Sequence, residues 1–319
     1  MEAKELIRIR NLNVSFGKLE VLKNLNLTIH EGEVFGVIGM SGVGKTTLLL
    51  TIVGFLKPTS GEVSYNYNGS FITKDKNPRF VKEIFGFSTQ DPSFYPELTV
   101  KQNLAYFASR YKLSPEVRKE NVKRALELVG LEEFENVEAG RLSGGMKKRL
   151  DIACSIIHRP KILLLDEPTA DLDPITREKI WELVKKINSI GTTIIIASHF
   201  LQELEGVCSR IAVLKDKRIF TMGSAGEIKR YSRNKILHIR TQYGRYDILV
   251  EKLKKMKLLE IKRIDETGEK LVITTPNIEK TLQEVRRLAQ ESNDKILNVK
   301  IVEPTLREVF EELVNNGKK

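Results

Sequence analysis

Gly39-Met40-Ser41-Gly42-Val43-Gly44-Lys45-Thr46 carries the spacing G-x-x-x-x-G-K-[ST] of a phosphate-binding loop. Its flanks suit that role. Val34-Phe35-Gly36-Val37-Ile38 is a short apolar run, as a buried strand requires, and residues 46–53 can continue as a helix. Glycines let the backbone curl until several N–H groups point at one centre. The helix start adds partial positive charge there. The loop from Gly39 through Met40, Ser41, Gly42, Val43 and Gly44 to Thr47 is therefore the expected phosphate cradle. Lys45 is expected to reach the β- and γ-phosphates of a nucleotide, and Thr46 to offer its hydroxyl to Mg²⁺.

A second apolar run, Ile162-Leu163-Leu164-Leu165, ends in two adjacent acids, Asp166 and Glu167. At a strand end, one such acid can bind Mg²⁺ directly or through water while the next faces the attacking water. Asp166 suits the metal. Glu167 suits general-base or water-polarising work at the γ-phosphate.

The 319 residues are 41% hydrophobic and 30% charged, which fits two soluble globular domains. The longest aliphatic runs, at 162–165 and 194–196, are far too short to span a bilayer. The start, Met1-Glu2-Ala3-Lys4-Glu5, lacks the apolar core of a signal peptide. Cys154 and Cys208 give neither a disulfide framework nor a zinc spacing, which points to a reducing cytoplasm. The net charge of +11 would suit nucleic acid or an anionic membrane surface. The charges are mixed, however, and no aromatic residues interleave them as a base-stacking platform needs. A solvated basic face is the reading, with no nucleic acid expected as a partner.

Ile7 and Ile9, then Leu25, Leu27 and Ile29, alternate with polar residues and predict half-exposed antiparallel strands. Residues 61–90 read as short strands with polar turns at Asn66, Asn68-Gly69 and Asn77-Pro78. Residues 99–130 read as helices, with Leu104, Phe107 and Ala108 on one face and Val117, Val122, Ala125, Leu126 and Val129 on another. Strands at 162–166 and 193–198 enclose a helix at about 174–189, which argues for a parallel α/β sheet. A polar connection from Gly223 to Asn234 marks a domain boundary. Beyond it come a strand (236–240), a helix (247–256), strands (258–265 and 270–274), a helix (278–290) and a strand (296–302). That order is the βαββαβ of a ferredoxin-like α+β domain. A final helix over 305–314 has Thr305 and Glu308 as a capping box, with Leu306, Val309, Phe310 and Val314 on its buried face.

Between the two phosphate-site segments lies Leu142-Ser143-Gly144-Gly145-Met146. Here the chain resembles the nucleotide-binding subunits of ABC transporters, whose signature reads L-S-G-G-Q. Met146 departs from that pattern where the family usually has Gln. The resemblance covers roughly residues 5–222 and implies a P-loop NTPase ABC core over 1–225, with a helical subdomain at about 91–158 and an accessory domain at 235–319. It also implies roles for single residues. Ser143, Gly144 and Gly145 contact the γ-phosphate held by the opposite subunit. Gln90, after Gly86-Phe87-Ser88-Thr89, senses Mg²⁺ and couples to the membrane partner. Asp173, in Ala170-Asp171-Leu172-Asp173, belongs to a loop across the dimer interface. His199 is the switch histidine at the γ-phosphate. Phe16 stands where the family stacks an aromatic ring on adenine, and a place in the core is its other reading. Val302-Glu303-Pro304-Thr305-Leu306-Arg307-Glu308-Val309-Phe310 is similar to the E-P-[ST]-L-x-x-V-F ending of ABC-2 type exporter ATPases, the drug, antibiotic and sodium efflux group.

The resemblance implies an ATP-hydrolysing subunit on the cytoplasmic face of the cell membrane, acting as a homodimer or with a similar ATPase chain. It implies a separate permease, docked near Gln90 and residues 91–95. An importer subunit, or a soluble ABC ATPase of nucleic acid or ribosomes, is the alternative. No sustained heptads separate Lys45 from Leu142, which argues against a chromosome-type ATPase.

Overall fold

The computed structural model describes residues 4–232, 234–244, 246–255, 263–266 and 270–315. The chain divides into two compact units, Met1–Ser224 and Ala225–Lys319. The first holds β1 (Glu5–Phe16), β2 (Leu19–His30), β3 (Val34–Ile38), α1 (Lys45–Ile52), β4 (Ser60–Tyr67) and β5 (Ser70–Thr73). Then come α2 (Pro78–Ile84), β6 (Phe85–Ser88), α3 (Val100–Ser109), α4 (Pro115–Val129), α5 (Gly144–Ile156) and β7 (Ile162–Asp166). It closes with α6 (Pro174–Ser189), β8 (Thr193–Ser198), α7 (Leu201–Glu205), β9 (Arg210–Lys215) and β10 (Arg218–Gly223).

The alternating N-terminal strands pair antiparallel, with Ile7 opposite Ile29 and Ile9 opposite Leu27. They belong to a four-stranded sheet ordered β2-β1-β4-β5. A six-stranded sheet is ordered β10-β9-β3-β8-β7-β6, and every pair in it is parallel except β9 with β10. β3, β7 and β8 are buried along their whole length, as a sheet covered on both faces demands. α1 shares one core with both sheets, through Leu48, Leu49 and Ile52 against residues such as Ile7, Ile29, Phe35 and Ile195.

Two expectations are corrected. Residues 61–90 are not all strand and turn, because α2 occupies Pro78–Ile84. Asn77-Pro78 is its start: the Asn77 side chain accepts from Phe80 N at 3.1 Å, and Pro78 needs no N–H in the first turn. Val117 is 45% exposed instead of facing the core, because it lies in the first turn of α4 while Val122, Ala125, Leu126 and Val129 are buried.

The second unit holds α8 (Ala225–Lys229), β11 (Lys235–Thr241), α9 (Tyr246–Lys255), β12 (Arg263–Glu266) and β13 (Leu271–Thr275). It ends with α10 (Ile278–Glu291), β14 (Ile296–Val302) and α11 (Leu306–Asn315). The connection read from Gly223 to Asn234 thus contains the short α8. The strand order β12-β13-β11-β14, all antiparallel, is the split βαβ arrangement expected from the sequence. Residues 256–262, on which the expected helix end and strand start fall, lie outside the described residues, as does the side chain of Val314. The capping box is present: Thr305 N donates to Glu308 Oε2 at 2.8 Å, and Glu308 N donates to Thr305 Oγ1 at 3.3 Å. Among the described residues, no helix is long and apolar enough to cross a membrane.

His158 follows α5 and stacks on Tyr111, with ring centroids 3.7 Å apart and planes 6° apart. Its Nε2 lies 3.0 Å from the Phe85 carbonyl oxygen. Burial pushes its pKa down from 6.5 to about 4. The unfolded chain therefore takes a proton, as pH falls below about 6.5, that the folded chain refuses until about pH 4. His158's contribution to stability is complete above that window and is lost as pH falls through it. Urea unfolding at stepped pH should show a steeper loss between pH 6.5 and 4 for the parent than for His158→Gln. Equal slopes would refute the assignment.

Candidate nucleotide site

Three neighbouring strands deliver the candidate groups to one edge. β3, β8 and β7 lie side by side and parallel, so their carboxyl ends coincide, with Ile38 beside Ser198 and Asp166 beside Ala197. In an open parallel sheet, that edge is where ligands bind. β3 runs into the loop at Gly39, β7 ends at Asp166 and β8 precedes His199.

The loop needs its glycines. A Cβ on Gly39 would lie 2.6 Å from Val43 Cγ1 and 2.7 Å from the Leu214 carbonyl oxygen. Gly44 precedes α1 at φ 109°, a backbone that side chains avoid. Lys45 opens the helix but points back into the loop. Its ammonium donates to the Gly39 carbonyl at 3.0 Å and the Met40 carbonyl at 3.5 Å. It also lies 3.3 Å from Glu167 Oε1. Met40, Ser41 and Thr46 are exposed, and the Thr46 side chain hydrogen-bonds Asp166.

Asp166 is only 2% exposed, and its Oδ1 is a buried oxygen without a hydrogen-bond partner. Burial raises its pKa, and neighbouring Glu167 adds to this. A hydrogen bond from Thr46 and the charges of Lys45 and Lys148 oppose the rise. A buried, unsatisfied carboxylate oxygen next to a threonine hydroxyl is a hard-oxygen donor set, and it fits Mg²⁺.

Glu167 adopts φ 48°, which costs a non-glycine residue about 1–2 kcal/mol. The turn places its carboxylate between two partners. Oε1 faces Lys45, while Oε2 lies 2.8 Å from His199 Nδ1 and accepts from His199 N at 3.3 Å. Strain of this kind persists where surrounding bonds hold it, and the 2.9 Å bond from Glu167 N to the Ala197 carbonyl is one of them.

The remaining predicted residues belong to other segments of the first unit. Ser143 caps α5, accepting from Met146 N at 3.4 Å, and Ser143 and Gly144 are exposed. Gly145 lies against Thr176 of α6, whose N–H and hydroxyl bond the Asp173 carboxylate at 3.0 and 2.6 Å. Those bonds, the hydroxyl's first, hold the Asp173 pKa down. Phe16, at the end of β1, is 50% exposed, so it is not a core residue. Gln90 is exposed two residues beyond β6.

Sequence reasoning missed Lys148 and Asp151, both buried on α5. The signal was two opposite charges three residues apart, directly after the Ser143 turn. It missed Glu203 as well, which accepts from Thr169 Oγ1 at 2.8 Å and Trp181 Nε1 at 2.9 Å, and pairs with Arg177.

Residues 22–170 match the family described as ABC transporter. Over 306 residues the chain is 28% identical to the linearmycin resistance ATP-binding protein LnrL of Bacillus subtilis, covering 96% of this chain and 97% of that one. It is 34% identical to the methionine import ATP-binding protein MetN of Clostridioides difficile, over 85% and 83% of the two chains. Among solved structures, a dimeric ATP-binding cassette in a post-hydrolysis state, bound to ADP and Pi, superposes with a TM-score of 0.60. It is 31% identical, over 69% of this chain and 98% of that one. A phosphate loop, a paired acid and a histidine on one parallel edge, found together with these likenesses, place the chain in the family of ABC transporter ATP-binding proteins, which bind and hydrolyse ATP.

Proposed function

We propose that the chain is the ATP-hydrolysing subunit of an exporter, working as an ATP-closed dimer on a separate membrane permease. The observation that carries the catalytic part is the Glu167 carboxylate held between Lys45 at 3.3 Å and His199 at 2.8 Å. The loop amides and Lys45 bind the phosphates. Glu167 orients the attacking water and accepts its proton, and His199 fixes that carboxylate while reaching toward the γ-phosphate. Phe16 offers a ring face for adenine. Thr46, Asp166 and Gln90 would hold Mg²⁺, which supplies charge neutralisation on the β- and γ-phosphates.

The exposed Ser143–Gly145 turn is the start of α5, so its N–H groups and partial positive charge suit a phosphate on another molecule. Each chain has one loop and one such turn. A second copy, or a similar ATPase chain, supplies the complement, and Asp173 lies at the seam. The solved dimer with ADP and Pi supports this reading.

Export is favoured by likeness to the linearmycin resistance protein along nearly the whole chain, accessory unit included. Import is the second reading, favoured by the methionine relative. The permease would dock at the cleft beside Gln90, lined by Phe55, Phe87, Thr89, Ser93, Phe107 and Tyr111. That puts the chain on the cytoplasmic face of the membrane, with residues 1–225 as the ABC domain, 91–158 as its helical part and 235–319 as the accessory domain.

Two outcomes test this. Gly39→Ala should weaken ATP binding about tenfold or more with the fold retained, because its Cβ collides with loop and β9 backbone; unchanged affinity by calorimetry would refute the cradle. Glu167→Gln should lower kcat about 100-fold or more and accumulate an ATP-bound dimer by light scattering. Parental turnover, or a monomer at saturating Mg-ATP with and without permease or a related ATPase, would sink the reading.

A further inference from the structure

A buried ion pair ties α5 to both flanks of Gln90. Lys148 and Asp151 are 7% and 0% exposed. The Lys148 ammonium donates to the Thr89 carbonyl at 2.9 Å and lies 3.9 Å from Asp151 Oδ2. Asp151 Oδ2 accepts from Ser88 Oγ at 2.5 Å. Its Oδ1 accepts from Ser93 N at 2.9 Å and Ser93 Oγ at 3.0 Å. Residues 88, 89 and 93 are therefore all fastened to one helix, and Gln90 stands exposed between the fastenings.

A brace that only held α5 against β6 would not need charge. Well-packed apolar side chains of similar volume replace buried ion pairs without loss of stability, and often with a gain. What charged groups add is direction, since their bonds fix particular backbone atoms in one arrangement. Here they fix the backbone on either side of a residue assigned to the nucleotide. The same ammonium also feels the charge of Asp166, so the tie lies close to the catalytic edge. α5 itself begins at the Ser143 turn.

We infer that Lys148 and Asp151 are positioning residues that lock the Gln90 loop to α5, so that Gln90 and the Ser143–Gly145 turn move as one body during ATP turnover. This rests on the roles proposed above for Gln90 and Ser143. An approach of Gln90 to the γ-phosphate then carries the phosphate-capping turn with it. The coupling runs through four hydrogen bonds, not through the covalent path from residue 90 to residue 143.

ATP hydrolysis by the full chain tests it, using Lys148→Met, Lys148→Arg, Ser93→Ala, Gln90→Ala and the double variant Gln90→Ala/Lys148→Met. Lys148→Met should lower kcat about tenfold while KM for ATP moves less than about threefold, because the phosphate loop is untouched. Lys148→Arg should restore kcat to within about threefold of the parent. Ser93→Ala should lower kcat about threefold. The double variant should be no slower than Gln90→Ala alone, since both act at one point. A folded Lys148→Met with parental kcat overturns the inference, as does a double variant whose loss is the product of the single losses. If Lys148→Met does not fold, Ser93→Ala decides, and parental kcat there beside an impaired Gln90→Ala overturns the lock alone. Parental turnover in Gln90→Ala removes the role of Gln90, and the lock falls with it.

Discussion

The ammonium of Lys45, buried at the carboxyl edge of the parallel sheet, organises everything around it. It sits at the first position of α1, where a side chain would ordinarily run along the helix surface. Here it turns back to the Gly39 and Met40 carbonyls and to Glu167. Those contacts join the products of two different strands, β3 and β7. Burial at 7% exposure makes this charge expensive to leave unpaired. The loop's curl and the left-handed turn at Glu167 are the local strains that keep it paired. On the proposed function, phosphate oxygens would compete for the same ammonium protons and so free the Glu167 carboxylate for water.

The electrostatics of the edge are poised in the same sense. Asp166 and Glu167 are consecutive acids, one buried and one bracketed by a lysine and a histidine. Burial pushes the Asp166 pKa upward, and the adjacent Glu167 carboxylate adds to the rise. Thr46 and the two lysines restrain that rise without giving Oδ1 a partner. The site is thus short of cationic charge where a phosphate-bound cation would bring it, so nucleotide and edge complete one another.

Much of this was legible in the chain because the decisive geometry is local. Eight residues specify the loop, its glycines and its helix start, and the apolar runs at 34–38, 162–166 and 193–198 became strands at those bounds. The meeting of Lys45, Glu167 and His199 was less direct. It depends on β8 lying between β3 and β7, which no motif encodes. Sequence gave only the parallel alternation that brings strand ends to one edge. Three things stayed hidden for physical reasons. Asn77-Pro78 has the composition of a turn and of a helix start alike, and tertiary packing of Val81 and Ile84 decided for the helix. Lys148 and Asp151 went unnoticed, because burial of charge is set by what packs on top, here residues 88–93. Whether Phe16 belonged to the core was equally hidden, since its 50% exposure depends on the packing around the end of β1.

The accessory unit follows a different logic. Its buried face was readable because β13 alternates throughout and β11 alternates from Leu237 onward. Its core, built on Leu237, Ile239, Leu249, Leu271, Ile273, Val285 and Leu288, lies wholly within the unit. The large core of the first unit likewise runs only from Leu6 to Leu214. Two cores that share no residue are the mark of two domains, each satisfied by its own apolar burial. Every group assigned to ATP belongs to the first, and among the described residues no three His, Cys, Asp or Glu side chains gather to bind a metal in either. On the reading proposed above, the groups that act on ATP all lie in the first unit.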